Sequence, residues 1–277
     1  MKLNYCYHTH NYRCGHAVGS FNDYIEEFEK LGYTSIGFSD HAFFPGISHR
    51  GMRGDFSEID SYIKEFNEAK EQHKNLNLFL GFEVEYMDRY DSYYDELFTK
   101  YNFDYLIIGQ HLSYNEKGEI VPYFGFNLKD NLEGIIRYKN DLIKAIRSGK
   151  FLYIAHPDIF MYSVTKITPE ILDICEEIVK TAHECNVPLE LNIGGTRYYN
   201  LKSQSEGTNP YPNYYFWQFA LKYPVDVVVG LDVHNPLHIA TSPLNLPEYF
   251  IQKFNLNLLT NQQLEQKIAK IKARYNR

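Results

Sequence analysis

Pairs of histidine and carboxylate residues follow short apolar runs in this chain. His8 and His10 come after Leu3–Tyr7, and Asp232 and His234 come after Val225–Leu231. Residues i and i+2 of a strand point to the same face, so each pair offers two ligands that converge on one point. Two such pairs, with single residues at other strand ends between them, predict a site for several metal ions. The nine candidate ligands are His8, His10, His16, His41, Glu83, His111, His156, Asp232 and His234.

Strand-like and helical patterns alternate along the chain, and this alternation predicts a seven-stranded parallel α/β barrel. In a barrel the carboxyl ends of the strands meet at one rim, so ligands scattered along the sequence would form one cluster. The predicted strands are Leu3–Tyr7, Thr34–Ser39, Leu76–Val84, Tyr105–Gly109, Phe151–Ala155, Val187–Ile193 and Val225–Leu231. The predicted helices are Phe21–Leu31, Phe56–His73, Asp91–Lys100, Asp130–Arg147, a segment from Pro169 to about Cys185, and one near Tyr214–Lys222.

Size and composition limit the classes of protein that fit. A chain of 277 residues with 44% apolar residues can bury one large core. No apolar run approaches the roughly 20 residues of a membrane helix, and the first residues do not resemble a signal peptide. A net charge of −7 disfavours a nucleic-acid-binding surface. We therefore expect a single cytoplasmic domain over residues 1–277, without nucleic-acid or membrane partners.

The cysteines do not form a disulfide framework or a CxxC motif. The four residues are Cys6, Cys14, Cys175 and Cys185, and in a chain of this length they are expected to be reduced thiols. Cys14 lies two residues before His16 and could in principle bind metal. Free cysteines more often pack in the core, and this is the preferred interpretation of Cys14 from the sequence.

The motifs around the candidate ligands resemble those of the polymerase and histidinol phosphatase (PHP) superfamily. The resemblance extends in order from residue 8 to residue 234, and the spacing is most similar to that of the stand-alone histidinol-phosphate phosphatases. The matching motifs are His8-Thr9-His10, Cys14-Gly15-His16-Ala17, Gly37-Phe38-Ser39-Asp40-His41-Ala42, Gly81-Phe82-Glu83-Val84-Glu85-Tyr86, Ile108-Gly109-Gln110-His111, Ala155-His156-Pro157-Asp158, Leu191-Asn192-Ile193-Gly194-Gly195-Thr196-Arg197 and Gly230-Leu231-Asp232-Val233-His234.

The resemblance implies a distorted (β/α)7 barrel that binds two or three metal ions. The first ion would be bound by His8, His10, Glu83 and Asp232; the second by Glu83, His111 and His156; the third by His16, His41 and His234. Paired metals generate hydroxide near neutral pH, so attack by a metal-bridging hydroxide on phosphorus is expected, with Glu83, Asp232 and Arg197 in the catalytic set. Imidazole-rich ligands favour zinc, iron or manganese over magnesium or calcium.

Several charged residues are candidates for substrate contacts. Arg197 follows two glycines beyond a strand end, and its guanidinium could bind phosphate through two hydrogen bonds. Arg50 and Arg53 lie in a glycine-flanked loop and could cover the substrate, although solvated loop charges are equally expected. Glu85 could meet a cationic part of the substrate or instead orient a ligand histidine. Asp40 is expected to point away from the metals, and Asp158 could orient His156 or donate a proton.

The resulting hypothesis is a metal-dependent histidinol-phosphatase of histidine biosynthesis, which hydrolyses L-histidinol phosphate to L-histidinol and phosphate. The alternatives are another PHP phosphoesterase that acts on a phosphotyrosyl protein, a nucleotide or a different small phosphate, and a non-catalytic metal-binding or polymerase-associated module. Amidohydrolase chemistry on a related barrel is a further alternative, in which a phosphate-binding Arg197 would have no purpose.

Overall fold

The computed structural model of the protein describes residues 1–123, 128–198 and 211–275, with the side chains of 197 and 198 excluded. The fold is α/β, with a curled parallel sheet and helices packed around it. Strands β1 (Tyr5–Cys6), β2 (Ser35–His41), β3 (Asn77–Val84) and β4 (Tyr105–Ile108) pair in parallel in this order. Strands β7 (Leu189–Asn192), β8 (Asp226–Gly230) and β9 (Asn257–Leu258) form a second parallel set.

The segment around Ile154 joins the two sets of strands. We predicted a strand over 151–155, but only Ile154 is paired, with Ile108 on one side and Leu189 on the other. Pro188 has no N–H to donate to the ladder, which limits pairing at this position. Backbone hydrogen bonds still continue on both sides, from Leu152 N to Leu106 O (2.8 Å) and from Glu190 N to Ile154 O (2.9 Å). The sheet is therefore continuous and curled.

The far edges of the curled sheet also meet. Beyond the regular ends of β1 and β8, Thr9 and Val233 form a parallel bridge. Asp232 N donates to His8 O (3.1 Å), and His10 N donates to Val233 O (3.0 Å). These bonds bring the first and last pairs of candidate ligands to one place. A seven-stranded barrel made of the predicted strands stays a prediction, because Phe151–Ala155 is not a regular strand and β9 was not predicted.

Most of the described helices lie where the helical periodicity predicts them. They are α1 (Phe21–Lys30), α2 (Ile59–Gln72), α3 (Asp91–Thr99), α4 (Leu132–Ser148), α5 (Pro169–Cys185), α6 (Tyr214–Trp217), α7 (Asn245–Phe254) and α8 (Asn261–Lys272). Thr168 caps α5 by accepting a hydrogen bond from Ile171 N, with proline in the first turn, as predicted. The helices α7 and α8 and the hairpin β5–β6 (Leu112–Tyr114 and Ile120–Pro122) were not predicted. No helix within the described ranges is long and apolar enough to cross a membrane.

Candidate metal centre

Strand register places the first ligands next to one another. His41 at the end of β2 is paired with Glu83 of β3. His8 and His10 flank the bridge at Thr9, and Asp232 and His234 flank the facing bridge at Val233. The side chains of His8, His10 and Glu83 are buried at one end of the curled sheet. The predicted convergence of residues distant in sequence is thus present in the structure.

Four of these side chains form a compact group of donor atoms. His8 Nε2 lies 3.1 Å from His10 Nε2 and 3.5 Å from both Glu83 Oε2 and Asp232 Oδ1. His10 Nε2 lies 3.5 Å from Glu83 Oε2 and 3.4 Å from Asp232 Oδ1. Ligand atoms bound tetrahedrally at about 2.1 Å from zinc are about 3.4 Å apart. These spacings therefore fit a single metal ion with four ligands.

The second oxygen of Glu83 faces a different pair of imidazoles. Glu83 Oε1 lies 2.8 Å from His156 Nε2 and 3.5 Å from His111 Nε2. The two carboxylate oxygens thus serve two separate sets of nitrogen atoms. This arrangement fits a carboxylate that bridges two metal ions. We refer to His8, His10, Glu83, His111, His156 and Asp232 together as the carboxylate-centred group.

The other three candidate ligands stack beside this group. The ring centroid of His16 lies 4.6 Å from that of His234 and 5.3 Å from that of His41, and His10 stacks on His234 at 4.1 Å. His41 also turns Nδ1 toward Glu83 Oε2, at 3.0 Å. We refer to His16, His41 and His234 as the histidine group. All nine predicted ligands therefore lie in one contiguous cluster.

Buried polar atoms at the centre of the cluster lack hydrogen bonds. His234 Nε2 has no hydrogen-bond partner within the described part of the chain, and Glu83 Oε2 and His41 Nδ1 lie 3.0 Å apart without forming a hydrogen bond to each other or to another described residue. A buried polar atom without a partner costs about 1–3 kcal/mol. Metal ions would satisfy these atoms, so the donor set fits divalent transition metals by chemistry as well as by spacing.

A buried carboxylate that we did not predict orients two of the ligands. Glu190 in β7 accepts hydrogen bonds from His8 Nδ1 (2.8 Å) and from the backbone N–H of His156 (3.0 Å). Asn192 donates to Glu190 (2.8 Å) and to Asp232 Oδ2 (3.2 Å). Anchoring of Nδ1 leaves His8 Nε2 to face the metal position. The sequence feature that could have indicated this role is the pair Glu190 and Asn192, two polar residues at i and i+2 inside an otherwise apolar strand.

Glu85 and Arg53, which we predicted as candidate substrate contacts, bind each other. Arg53 donates to Glu85 through Nη2, at 2.7 Å, and Nη1, at 3.0 Å, and its Nη1 also donates to Ala42 O at 2.9 Å. Both side chains are buried, and Glu85 Oε1 lies 3.4 Å from His111 Nδ1. This contact agrees with the alternative that the sequence left open for Glu85, that of orienting a candidate ligand histidine. Arg53 is a core residue and not part of a solvated lid.

The other candidate residues occupy different environments. Arg50 is exposed. Asp40 accepts a hydrogen bond from Asn11 N (2.8 Å) and lies 3.9 Å from His10 Nδ1. Asp158 accepts from Asn213 N (2.6 Å) and Trp217 Nε1 (3.1 Å), and burial raises its pKa to about 7. Arg197 belongs to the 3-10 turn Gly194–Tyr198, and its side chain lies outside the described part.

The backbone is strained at two of the ligands. His156 and Asp232 have φ values of 29° and 49°, in a region that side-chain-bearing residues seldom adopt. Such strain occurs mainly at functional sites, where the surrounding structure maintains it. At Gly109, a Cβ atom would collide with the Glu83 carboxylate. Close backbone approach therefore holds Glu83 in place.

Electrostatics differ between the two groups. Burial favours neutral forms, but the neighbouring histidines His111, His8 and His41 hold the pKa of Glu83 well below its usual range. The pKa of His8 is lowered by burial but raised further by Glu190, Asp232 and Glu83, to well above its usual value. Burial and the nearby His10 charge lower the pKa of His234 to about 3. These directions favour a protonated His8, whose proton a metal ion would have to displace, and a neutral His234.

The fold and the donor cluster together define an α/β protein with a site suited to several divalent metal ions. The PHP domain model matches residues 7–194, which is more than half of the 277 residues. The chain belongs to the PHP domain family. This result confirms the resemblance that the motifs indicated.

Proteins with curated names or solved structures are similar to this chain over most of its length. A Deinococcus radiodurans protein named "Probable histidinol-phosphatase" is 24% identical over 232 residues, covering 83% of this chain and 85% of that protein. The hisK structure from Listeria monocytogenes has a TM-score of 0.69 at 17% identity, covering 85% of this chain and 97% of the other. Histidinol phosphate phosphatase from Lactococcus lactis, solved with zinc, L-histidinol and phosphate, has a TM-score of 0.66 at 17% identity, with coverage of 93% and 96%.

Proposed function

We propose that this protein is a metal-dependent phosphomonoesterase that hydrolyses L-histidinol phosphate to L-histidinol and inorganic phosphate. The observation that carries the proposal is the position of Glu83, whose two oxygens face two different sets of imidazoles. A carboxylate between two such sets is suited to a pair of metal ions, and paired ions are common in phosphatases. The PHP family membership and the named relatives support the choice of substrate.

The proposed ligand sets follow the donor groups of the structure. His8, His10, Glu83 and Asp232 would hold one ion, and Glu83, His111 and His156 a second. The histidine group would contribute to a third. Zinc, iron and manganese suit these imidazole-rich sets, and zinc is present in the Lactococcus lactis structure. Bound ions would supply Lewis acidity, which lowers the pKa of water and neutralises charge on phosphate oxygens.

The protein's own residues would keep the ligands in place during the reaction. Glu190 fixes the ring of His8 through Nδ1, and Asn192 holds the outer oxygen of Asp232. The Arg53–Glu85 pair is placed to do the same for His111. With its ligands locked by hydrogen bonds, the centre would not need to reorganise as substrate binds.

The test is phosphate release from a panel of small phosphomonoesters, with metal analysis of the same samples. We expect the highest kcat/KM for L-histidinol phosphate, and lower values for phosphotyrosine peptides, nucleoside monophosphates and sugar phosphates. A higher kcat/KM for one of these other esters would indicate that its class, and not L-histidinol phosphate, is the substrate. Absence of hydrolysis from a fully metal-loaded sample would instead favour a non-catalytic metal-binding module.

Arg197 is the proposed phosphate contact. It follows Gly194 and Gly195 just beyond the end of β7, at the same end of the sheet as the donor cluster. Arg197→Ala should lower kcat/KM by roughly ten- to a hundredfold, because a hydrogen bond to a charged group contributes about 1.5–3 kcal/mol. Arg50→Ala is the matched control, since Arg50 is an exposed loop arginine. Equal kcat/KM values for the two variants would remove Arg197 from the site.

A further inference from the structure

Cys14 lies beside the histidine group with its thiol buried. It ends a 3-10 turn, Tyr12–Cys14, and Gly15 then reverses the chain with a φ of 84°, so that His16 follows on the same side. The Cys14 side chain is fully buried. Its Sγ accepts a hydrogen bond from the backbone N–H of Ala17, at 3.3 Å. A backbone donor to sulfur favours the thiolate form that binds metals.

Donor atoms of Cys14, His16 and His234 lie within 4.8 Å of one another. His16 Nδ1 lies 3.3 Å from Cys14 O, and His234 Nδ1 lies 3.3 Å from Asp232 O. Both rings can therefore donate through Nδ1 and present Nε2 as the ligand atom. His234 Nε2 is buried and has no hydrogen bond to any described residue. An unsatisfied nitrogen next to a buried thiol is a second indication that this position takes a ligand.

His41, the third member of the histidine group, faces partly away from this position. Its Nδ1 lies 3.0 Å from Glu83 Oε2, so the ring is directed toward the carboxylate-centred group. The remaining imidazoles of the histidine group carry no negative charge. Asp232 Oδ1 lies 3.6 Å from His234 Nδ1, but the same oxygen lies 3.5 Å from His8 Nε2 and 3.4 Å from His10 Nε2 in the carboxylate-centred group. A divalent ion held by His16 and His234 would have to share this charge, and a charge taken out of water needs compensation. A thiolate supplies this compensation.

We propose that Cys14 is a metal ligand, and that with His16 and His234 it forms a sulfur-containing site distinct in chemistry from the Glu83-bridged positions. The inference rests on the metal centre of the proposed function but not on its substrate. Thiolate ligands select zinc, cadmium and cobalt over manganese and magnesium. The two halves of the centre would thus differ in the metals they prefer.

Cobalt provides a direct measurement, since a cobalt–thiolate bond gives a charge-transfer absorption band that nitrogen and oxygen ligands do not give. We would prepare metal-free protein, add Co²⁺ alone and record the spectrum of the wild type and of Cys14→Ser. Cys6→Ser is the matched control, because Cys6 is also buried and two residues from a ligand, but its thiol donates to His8 O at 3.4 Å. Cys175→Ser is a control for a thiol that contacts Met161.

The inference predicts a thiolate band in the wild type that Cys14→Ser loses and both controls retain. A wild-type spectrum without the band would overturn it and leave Cys14 as a buried thiol that accepts a hydrogen bond from Ala17 N. Retention of the band in Cys14→Ser would also overturn it.

If Cys14→Ser does not fold, ¹¹³Cd NMR of the wild type provides an independent test. A sulfur-bound cadmium should resonate well downfield of those bound only by nitrogen and oxygen, and absence of such a signal contradicts the inference. Phosphate release is measured on the same wild-type protein. Hydrolysis without a thiolate signal would reject Cys14 as a metal ligand and support the proposed function. A thiolate signal without hydrolysis would support Cys14 as a ligand and reject the proposed function.

Discussion

The carboxylate-centred group and the histidine group share one cluster but are built differently. In the carboxylate-centred group, His8 is anchored by Glu190, and Glu85 with Arg53 lies behind His111. The histidine group takes His16 from a short turn, where its Nδ1 lies 3.3 Å from the backbone carbonyl oxygen of Cys14. His16 is exposed at the surface, whereas Glu83 is 1% exposed.

This difference indicates how each half would bind metal. The carboxylate-centred group has two acidic ligands and a layer of buried hydrogen-bond partners, so its geometry is fixed before metal arrives. Two residues of the histidine group, His16 and His234, lie outside the helices and strands, where local chain motion can alter their spacing. We therefore expect the carboxylate-centred group to dominate both metal retention and activity, and the histidine group to modulate them.

The largest expected effect is that of Glu83→Gln. The change keeps the shape of the side chain but removes the charge shared by both sets of imidazoles. Residues behind metal ligands already contribute about 10–100-fold to affinity or activity, so loss of the bridging ligand should exceed about 100-fold. Metal content and kcat/KM measured on one preparation test this. Wild-type metal content in Glu83→Gln would mean that Glu83 is not a bridging ligand.

Next in size is the effect of Arg53→Met on folding. Removal of one partner of a buried ion pair leaves Glu85 as an uncompensated charge and should cost about 3–5 kcal/mol of unfolding free energy. Chemical denaturation of metal-free protein measures this value. The matched control is Arg13→Met, which breaks a partly exposed Arg–Glu pair with Glu65 and should cost about 1 kcal/mol.

The double variant Arg53→Met with Glu85→Gln tests whether the stability lost in Arg53→Met comes from the uncompensated Glu85 charge or from lost packing. Since the double change removes both charges, it should recover much of the stability lost in Arg53→Met. Metal binding at His111 should nevertheless be weaker than in the wild type, because the double variant lacks the Glu85 carboxylate that lies beside the His111 ring. Full recovery of metal content in the double variant would show that Glu85 does not orient His111.

Glu190→Gln should have an intermediate effect on metal binding. An amide in place of the carboxylate still bonds to His8 Nδ1 but no longer increases the basicity of the ring. We expect metal affinity or activity to fall about 10–100-fold. Titration of metal-free protein with Zn²⁺ measures the affinity. An unchanged affinity would reduce Glu190 to a packing residue.

The smallest effect is expected for His16→Asn. This variant should lose the metal of the histidine group while the Glu83-bridged pair is retained, and activity should fall by about tenfold. The number of metal ions per chain, measured in His16→Asn and in Glu83→Gln, tests this ranking, and we expect the smaller loss in His16→Asn. A larger loss of activity in His16→Asn than in Glu190→Gln would reverse the ranking of the two groups.

Part of this protein could be derived from the sequence. The periodicity of α1 and the Thr168-Pro169 start of α5 specified these helices, because capping and amphipathic spacing act over a few residues. The pairs at residues 8 and 10 and at 232 and 234 indicated a metal site, because their chemistry and i, i+2 spacing are local properties. The family was likewise recognisable from ordered motifs and is confirmed by the domain match.

Tertiary structure alone decided how the charged residues are used. Arg53 and Glu85 are 32 positions apart, and only the packed fold shows that they form a buried ion pair. The same holds for Glu190, which reaches His8 across 182 positions, and for Cys14, whose sulfur lies within 4.8 Å of a ring nitrogen of His234. A side chain's chemistry is fixed by its type, but its partner, burial and pKa depend on distances that arise only when remote segments pack together.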